Sequence, residues 1–223
     1  MCPVARTTGV ARQARHKGLG NVGGAWQALA MPETKELLAR YLTAARDALA
    51  WKLEGLSDYD VRRPMTSTGT NLLGLLKHAA TVQAGYLGDC MGRPFPDPPK
   101  CFGPDAEDND DMWALPDETR ADIEALWARS CAHADATIAA LPIDAEGHVP
   151  WWPAERNPVS LEYLLVHLQY DLSRHAGHAD IVRELIDGSV GLRADNTNLP
   201  DRDADWWRAY VERLEETARK VQG

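Results

Sequence analysis

Apolar residues in this chain recur at steps of three and four in five separate stretches, and no stretch alternates for long with period two. A helix brings residues three or four apart onto one face, so this spacing selects helices over strands. The first stripe is Leu38, Leu42, Ala45 and Leu49. Pro32, Glu33 and Glu36 suit its first turn, and Gly55 closes it. A loop with Pro64, Ser67 and Gly69 leads to Thr70, which the pattern predicts as the N-cap of a second helix carrying Leu72, Leu75, Leu76, Ala79, Val82 and Tyr86. A third runs from about 119 to 141 with Ile123, Trp127, Ala134 and Ile138 inward, and Pro142 stops it. Ser160 caps a fourth, with Leu161, Leu164, Leu165, Leu168, Leu172, Ala179, Val182 and Ile186, ended by Gly188. A fifth, 204–221, has Trp207, Val211, Leu214, Ala218 and Val221 on one side. The expected class is all-α: a four-helix bundle with an additional C-terminal helix.

Charge separates a tail from this bundle. Residues 1–30 contain Arg6, Arg12, Arg15 and Lys17 and no acid, and hold five glycines. They read as a basic, disordered tail ahead of one domain at 31–223. The whole chain has 24 basic and 33 acidic residues, for a net −9, so the domain alone carries 20 − 33 = −13. Such acidity argues against nucleic acid or an anionic membrane surface as partner. No apolar run approaches the ~20 residues of a membrane span. The four cysteines form no CxxC pair. A cytoplasmic protein with free thiols is the expectation. Trp206 and Trp207 sit on an exposed helix and suggest a homodimer. The loop from 90 to 118 holds six prolines and five acids between 105 and 111, and is expected to be a lid or a solvated surface segment.

The fourth helix breaks its own apolar pattern. His167, Asp171, His175 and His178 follow one another at steps of four, four and three, on one face beside Leu164, Leu168 and Val182. A carboxylate at the edge of a core needs a partner, because burying it unpaired costs several kcal/mol. His78, beside the apolar stripe of the second helix, supplies a matching anomaly. If the two helices meet there, His78, Asp171 and His175 form a three-ligand site with open positions, the pattern of a catalytic metal centre. The plainer readings are an i,i+4 hydrogen bond between Asp171 and His175 and a core histidine at 78.

Several segments resemble the DinB/YfiT-like metalloprotein superfamily. They are Leu53-Glu54-Gly55-Leu56-Ser57-Asp58, Leu72-Leu73-Gly74-Leu75-Leu76-Lys77-His78, Arg174-His175-Ala176-Gly177-His178-Ala179-Asp180 and Arg183-Glu184. The resemblance is to an uncharacterised actinobacterial branch related to mycothiol-dependent maleylpyruvate isomerase, and it spans about 33–188. It implies a DinB-like four-helix bundle whose divalent metal is held by His78, Asp171 and His175. Many members have His or Glu where Asp171 stands, so His178 is the substitute third ligand, or else a general base. Gln83 stands where some members carry Glu. The resemblance further implies a transferase or isomerase that uses a low-molecular-weight thiol, such as mycothiol, on a small-molecule substrate. Arg174 and Arg183 would contact an acidic cofactor or substrate, which would enter beneath the 90–118 loop near Trp151 and Trp152. The donor set suits zinc first, and also nickel, iron or manganese. A hydrolase using metal-activated water and a non-catalytic metal-stabilised binding protein are the alternatives.

Overall fold

The computed structural model describes residues 32–221; the expected tail at 1–30 lies outside them. The helices are α1 (Thr34–Ala50), α2 (Asp58–Arg62), α3 (Leu72–Leu87), α4 (Arg120–Ala140), α5 (Leu161–Asp187) and α6 (Ala204–Lys220). Two short strands, β1 (Glu146–Gly147) and β2 (Val159–Ser160), pair antiparallel in the connector before α5. The all-α bundle read from the apolar spacing is therefore the fold. The long helices α1, α3, α4 and α5 form the bundle: α1 lies on α5, and α3 on both α4 and α5. The core is largely leucine, including Leu42, Leu49, Leu72, Leu76, Leu164, Leu168 and Leu172.

Side chains close the helix starts. Ser160 accepts from the Tyr163 amide, and Thr119 forms a reciprocal capping box with Asp122. The second long helix differs from expectation by one residue. Asn71, not Thr70, is its N-cap, because the Asn71 side-chain Oδ1 accepts from the Gly74 amide at 2.7 Å. The Thr70 carbonyl is instead taken by the Met65 amide.

Helix α3 is the central element, buried on nearly every side, and it organises the 88–118 loop. Gly74 lets the loop cross it: a Cβ there would sit 1.8 Å from the Met112 carbonyl oxygen. Asn71 Nδ2 donates to that carbonyl at 3.2 Å. Lys77, fully buried, donates to the carbonyls of Asp110 (2.6 Å) and Trp113 (3.0 Å) and to the Glu118 carboxylate (2.6 Å). The acidic run thus splits in two. Asp105, Glu107 and Asp108 are exposed as expected, whereas Asp110 and Asp111 are drawn against α3.

Helix α6 is amphipathic but contributes no buried residue; Val211 and Leu214 are more than half exposed. Trp206 stacks on Tyr210. Among the described residues, no helix is long and apolar enough to cross a membrane.

Candidate metal centre

Helix α3 brings His78 to face α5 where Asp171 and His175 lie one turn apart. One ligand atom from each of the three falls within 4.8 Å of the others. The His78 and His175 rings meet edge to face, 4.6 Å between centroids. His175 Nε2 is 3.5 Å from Asp171 Oδ1, and His78 Nε2 is 3.8 Å from Asp171 Oδ2. The second distance is too long for a hydrogen bond. Asp171 Oδ2 and His175 Nδ1 are accordingly buried without any hydrogen-bond partner.

Two pKa effects follow. Burial alone would raise the Asp171 carboxyl, but the hydrogen bond and charge of His175, with the charge of His78, hold it below the usual carboxylate range. Asp111 also lies below that range, chiefly through its hydrogen bond with His78.

Asp111 acts on the ligand set from outside it. Its Oδ2 accepts from His78 Nδ1 at 2.6 Å. A proton held on Nδ1 leaves the Nε2 lone pair directed at Asp171 and His175, the arrangement by which a carboxylate orients a metal-binding imidazole. Two imidazoles and a carboxylate, with two of their buried atoms unpartnered, fit a divalent cation. We expect Asp111→Asn to weaken metal affinity about 10–100-fold. A titration against a fluorescent chelator reads this, and an unchanged affinity would show that the Asp111–His78 bond is irrelevant to the site.

A family profile described as Mycothiol-S-transferase matches residues 37–188, which include all three candidate ligands and Asp111. The chain belongs to the mycothiol-S-transferase family, a DinB-like family. One solved structure, titled as a conserved protein from Enterococcus faecalis, matches 71% of this chain and 100% of its own at a TM-score of 0.55 and 14% identity. That likeness concerns the fold alone. No curated protein matches.

The remaining residues singled out in this mycothiol-S-transferase family member are placed as follows. His178 is exposed on the turn after His175, rings 5.5 Å apart, outside the close group of three. Burial, then the charges of His175 and Arg174, lower its pKa. His167 packs between Tyr86 and Trp152, at 4.9 and 5.1 Å between ring centroids, and burial lowers its pKa too. Gln83 is fully buried and accepts from Arg46 Nε, tying α3 to α1. Arg174 is exposed. Arg183 is buried and spent on the fold: Nη1 donates to the carbonyls of Lys52 and Glu54, and Nε and Nη2 grip Asp187.

Beside the centre, one turn along α3, lies an open cavity of about 190 Å³ walled by Val82, Gly85, Tyr86, Phe102, Asp111 and Trp151. Phe102 comes from the Pro-rich loop and Trp151 from the connector, the two segments expected to cover the substrate. The residues that sequence reasoning missed are Asp111, Lys77 and Gly74. Lys77 left a signal, as the one Lys, Arg, Asp or Glu in a helix whose other residues are mostly apolar.

Proposed function

We propose that this chain is a divalent-metal-dependent transferase that joins a low-molecular-weight thiol, mycothiol or a close analogue, to a small electrophile. His78, Asp171 and His175 hold the metal, with zinc the first choice. When bound, such an ion lowers the pKa of a ligated thiol, so that its sulfur is nucleophilic at neutral pH. The observation that carries the proposal is the pair of unpartnered buried atoms, Asp171 Oδ2 and His175 Nδ1, on side chains clustered with His78, whose Nδ1 is bonded to Asp111.

The chain's own side chains divide the remaining work. Asp111 fixes the His78 tautomer. His178, exposed and with a lowered pKa, receives the proton that the thiol gives up. Arg174, four residues before it and exposed, meets the polar part of the thiol. A cytoplasmic setting, and a homodimer through Trp206 and Trp207 that light scattering would detect, belong to the same proposal.

None of the described cysteines competes as nucleophile. Burial pushes the Cys90 thiol up to about 11, and burial raises Cys101 and Cys131 as well. Relative to an ordinary value of 9.0, Cys90 has about a hundredth of the thiolate at neutral pH. Iodoacetamide should therefore alkylate Cys90 at least about a hundredfold more slowly in folded than in urea-unfolded protein. Equal rates in the two states would refute this.

Elemental analysis of wild type and two variants tests the assignment. One metal per chain is expected in wild type and in His178→Ala, and none in Asp171→Ala. Loss of metal in His178→Ala alone would make His178 the third ligand. A wild-type protein that binds no divalent metal would end the proposal.

A further inference from the structure

The cavity beside the metal centre has a composition that restricts what it accepts. We propose that it binds the electrophilic substrate, and that this substrate presents an uncharged aromatic ring. The proposal rests on the thiol-transfer reading and adds to it the class of the second substrate.

Size comes first. A dry protein cavity of about 150 Å³ holds one benzene molecule. A cavity of about 190 Å³ therefore has room for one substituted ring and little more. Shape agrees. A Cβ built on Gly85 would lie 3.6 Å from Phe102 Cζ and 3.8 Å from Trp151 Cη2, so Gly85 forms the floor of a gap between two aromatic edges. Trp151 is 59% exposed and Phe102 38%, large apolar surfaces left in water where a ring could cover them. Tyr86 completes the wall, with its ring centroid 5.4 Å from that of Trp151. Offset and edge-to-face contacts with such rings favour a planar aromatic ligand over an aliphatic one of equal area.

Charge decides the rest. Asp111 is the single charged residue in the wall. Lys77, on the same helix, is fully buried and committed to Asp110, Trp113 and Glu118. Arg183 is committed to Asp187 and two carbonyls. Asp111 and Asp171 together offset both charges of a divalent ion, so the centre adds no net attraction for an anion. An acidic substrate would enter this cavity beside Asp111 and find no cationic side chain in the wall to pair with. This departs from the expectation that Arg174 and Arg183 recognise an acidic substrate.

A matched pair of ligands tests the proposal without relying on turnover. Calorimetric titration of the full chain, as purified, with methyl p-toluate and with p-toluate compares a neutral ring with its carboxylate. The ester should bind at least about tenfold more tightly. Gly85→Ala should weaken ester binding about three- to tenfold while leaving the melting temperature unchanged or higher, because Ala favours a helix over Gly and the new methyl makes only ordinary contacts. Trp151→Ala, at an exposed position, should weaken it similarly. Equal or tighter binding of the carboxylate, no ester binding, or unchanged binding in both variants would overturn the proposal.

The reactive counterparts are methyl p-(chloromethyl)benzoate and its free acid. In each, the thiol sulfur forms a bond to the benzylic carbon, the carbon–chlorine bond breaks, chloride leaves with the electron pair, and the thiol proton passes to His178 or water. Turnover that favours the ester supports the proposal, and turnover that favours the acid opposes it. Ester-selective binding without turnover of either compound would leave the cavity's specificity standing and sink the thiol-transfer reading instead.

Discussion

Replacing His78 with alanine is expected to abolish metal binding and to lower thiol transfer by at least about a hundredfold, with the helical circular dichroism of wild type retained. The two halves of this expectation have separate causes. The site holds three protein donors within 4.8 Å, and removing one leaves Asp171 and His175, one turn apart on α5, with no donor from the opposite helix. A two-donor remnant cannot fix a geometry, so affinity collapses. The fold, by contrast, depends little on this side chain. His78 is partly exposed, and the buried contacts of α3 come from Leu72, Leu75, Leu76, Ala79 and Leu87. Truncation leaves the Asp111 carboxylate without its imidazole, but Asp111 is 30% exposed and can turn to water. Metal stoichiometry by elemental analysis and a far-ultraviolet spectrum check both halves. A variant that keeps one metal per chain would remove His78 from the ligand set.

The parts of this molecule that the sequence disclosed are those governed by local period. Helices α1, α3, α4 and α5 each carry their apolar residues at three- and four-residue steps, and Thr119, Ser160, Pro142 and Gly188 mark their ends. Asp171 and His175 share a helix face by the same arithmetic. Joining His78 to them required only that two apolar stripes pack together, polar anomaly to polar anomaly. What stayed hidden depends on contacts between distant segments. Asp111 is 33 residues from His78 and sits in a run of acids that looks solvated. The loop's path over Gly74, with the grip of Lys77 on its carbonyls, turns that acid toward α3. The surroundings of Arg183 were hidden for the same reason. The turn after α1, distant in sequence, folds over it and presents the carbonyls of Lys52 and Glu54. Helix α6 shows the converse: a regular apolar face is legible, but the described chain offers it no core.

Lys77→Ala should destabilise the fold strongly, and it should also weaken metal binding. The ammonium group is fully buried and makes three short contacts, two to loop carbonyls and one to Glu118, whose side chain is 12% exposed. Removing one partner of a buried ion pair costs about 3–5 kcal/mol, because the other charge remains desolvated. The amide of Leu115 still donates to Glu118, so the lower end applies. For a domain of this size, about 3 kcal/mol corresponds to a fall of roughly 6–12 °C in melting temperature. The effect on the metal follows from position. Lys77 holds the carbonyls of residues 110 and 113, and Asp111 lies between them. With that grip gone, helix α3 holds this part of the loop through the Asn71 contact to Met112 and the Asp111–His78 bond itself. Metal affinity measured below the melting transition, where the variant is folded, should fall about tenfold, as for other losses of a ligand's hydrogen-bonded support. A variant that melts early but binds metal as wild type does would show that the loop stabilises the bundle without positioning the site. Gly74→Ala provides the independent check. It leaves Lys77 in place but forces the Met112 carbonyl away from α3, displacing the same loop from its other side. Both substitutions should reduce metal affinity if the path of this loop is what turns Asp111 toward His78.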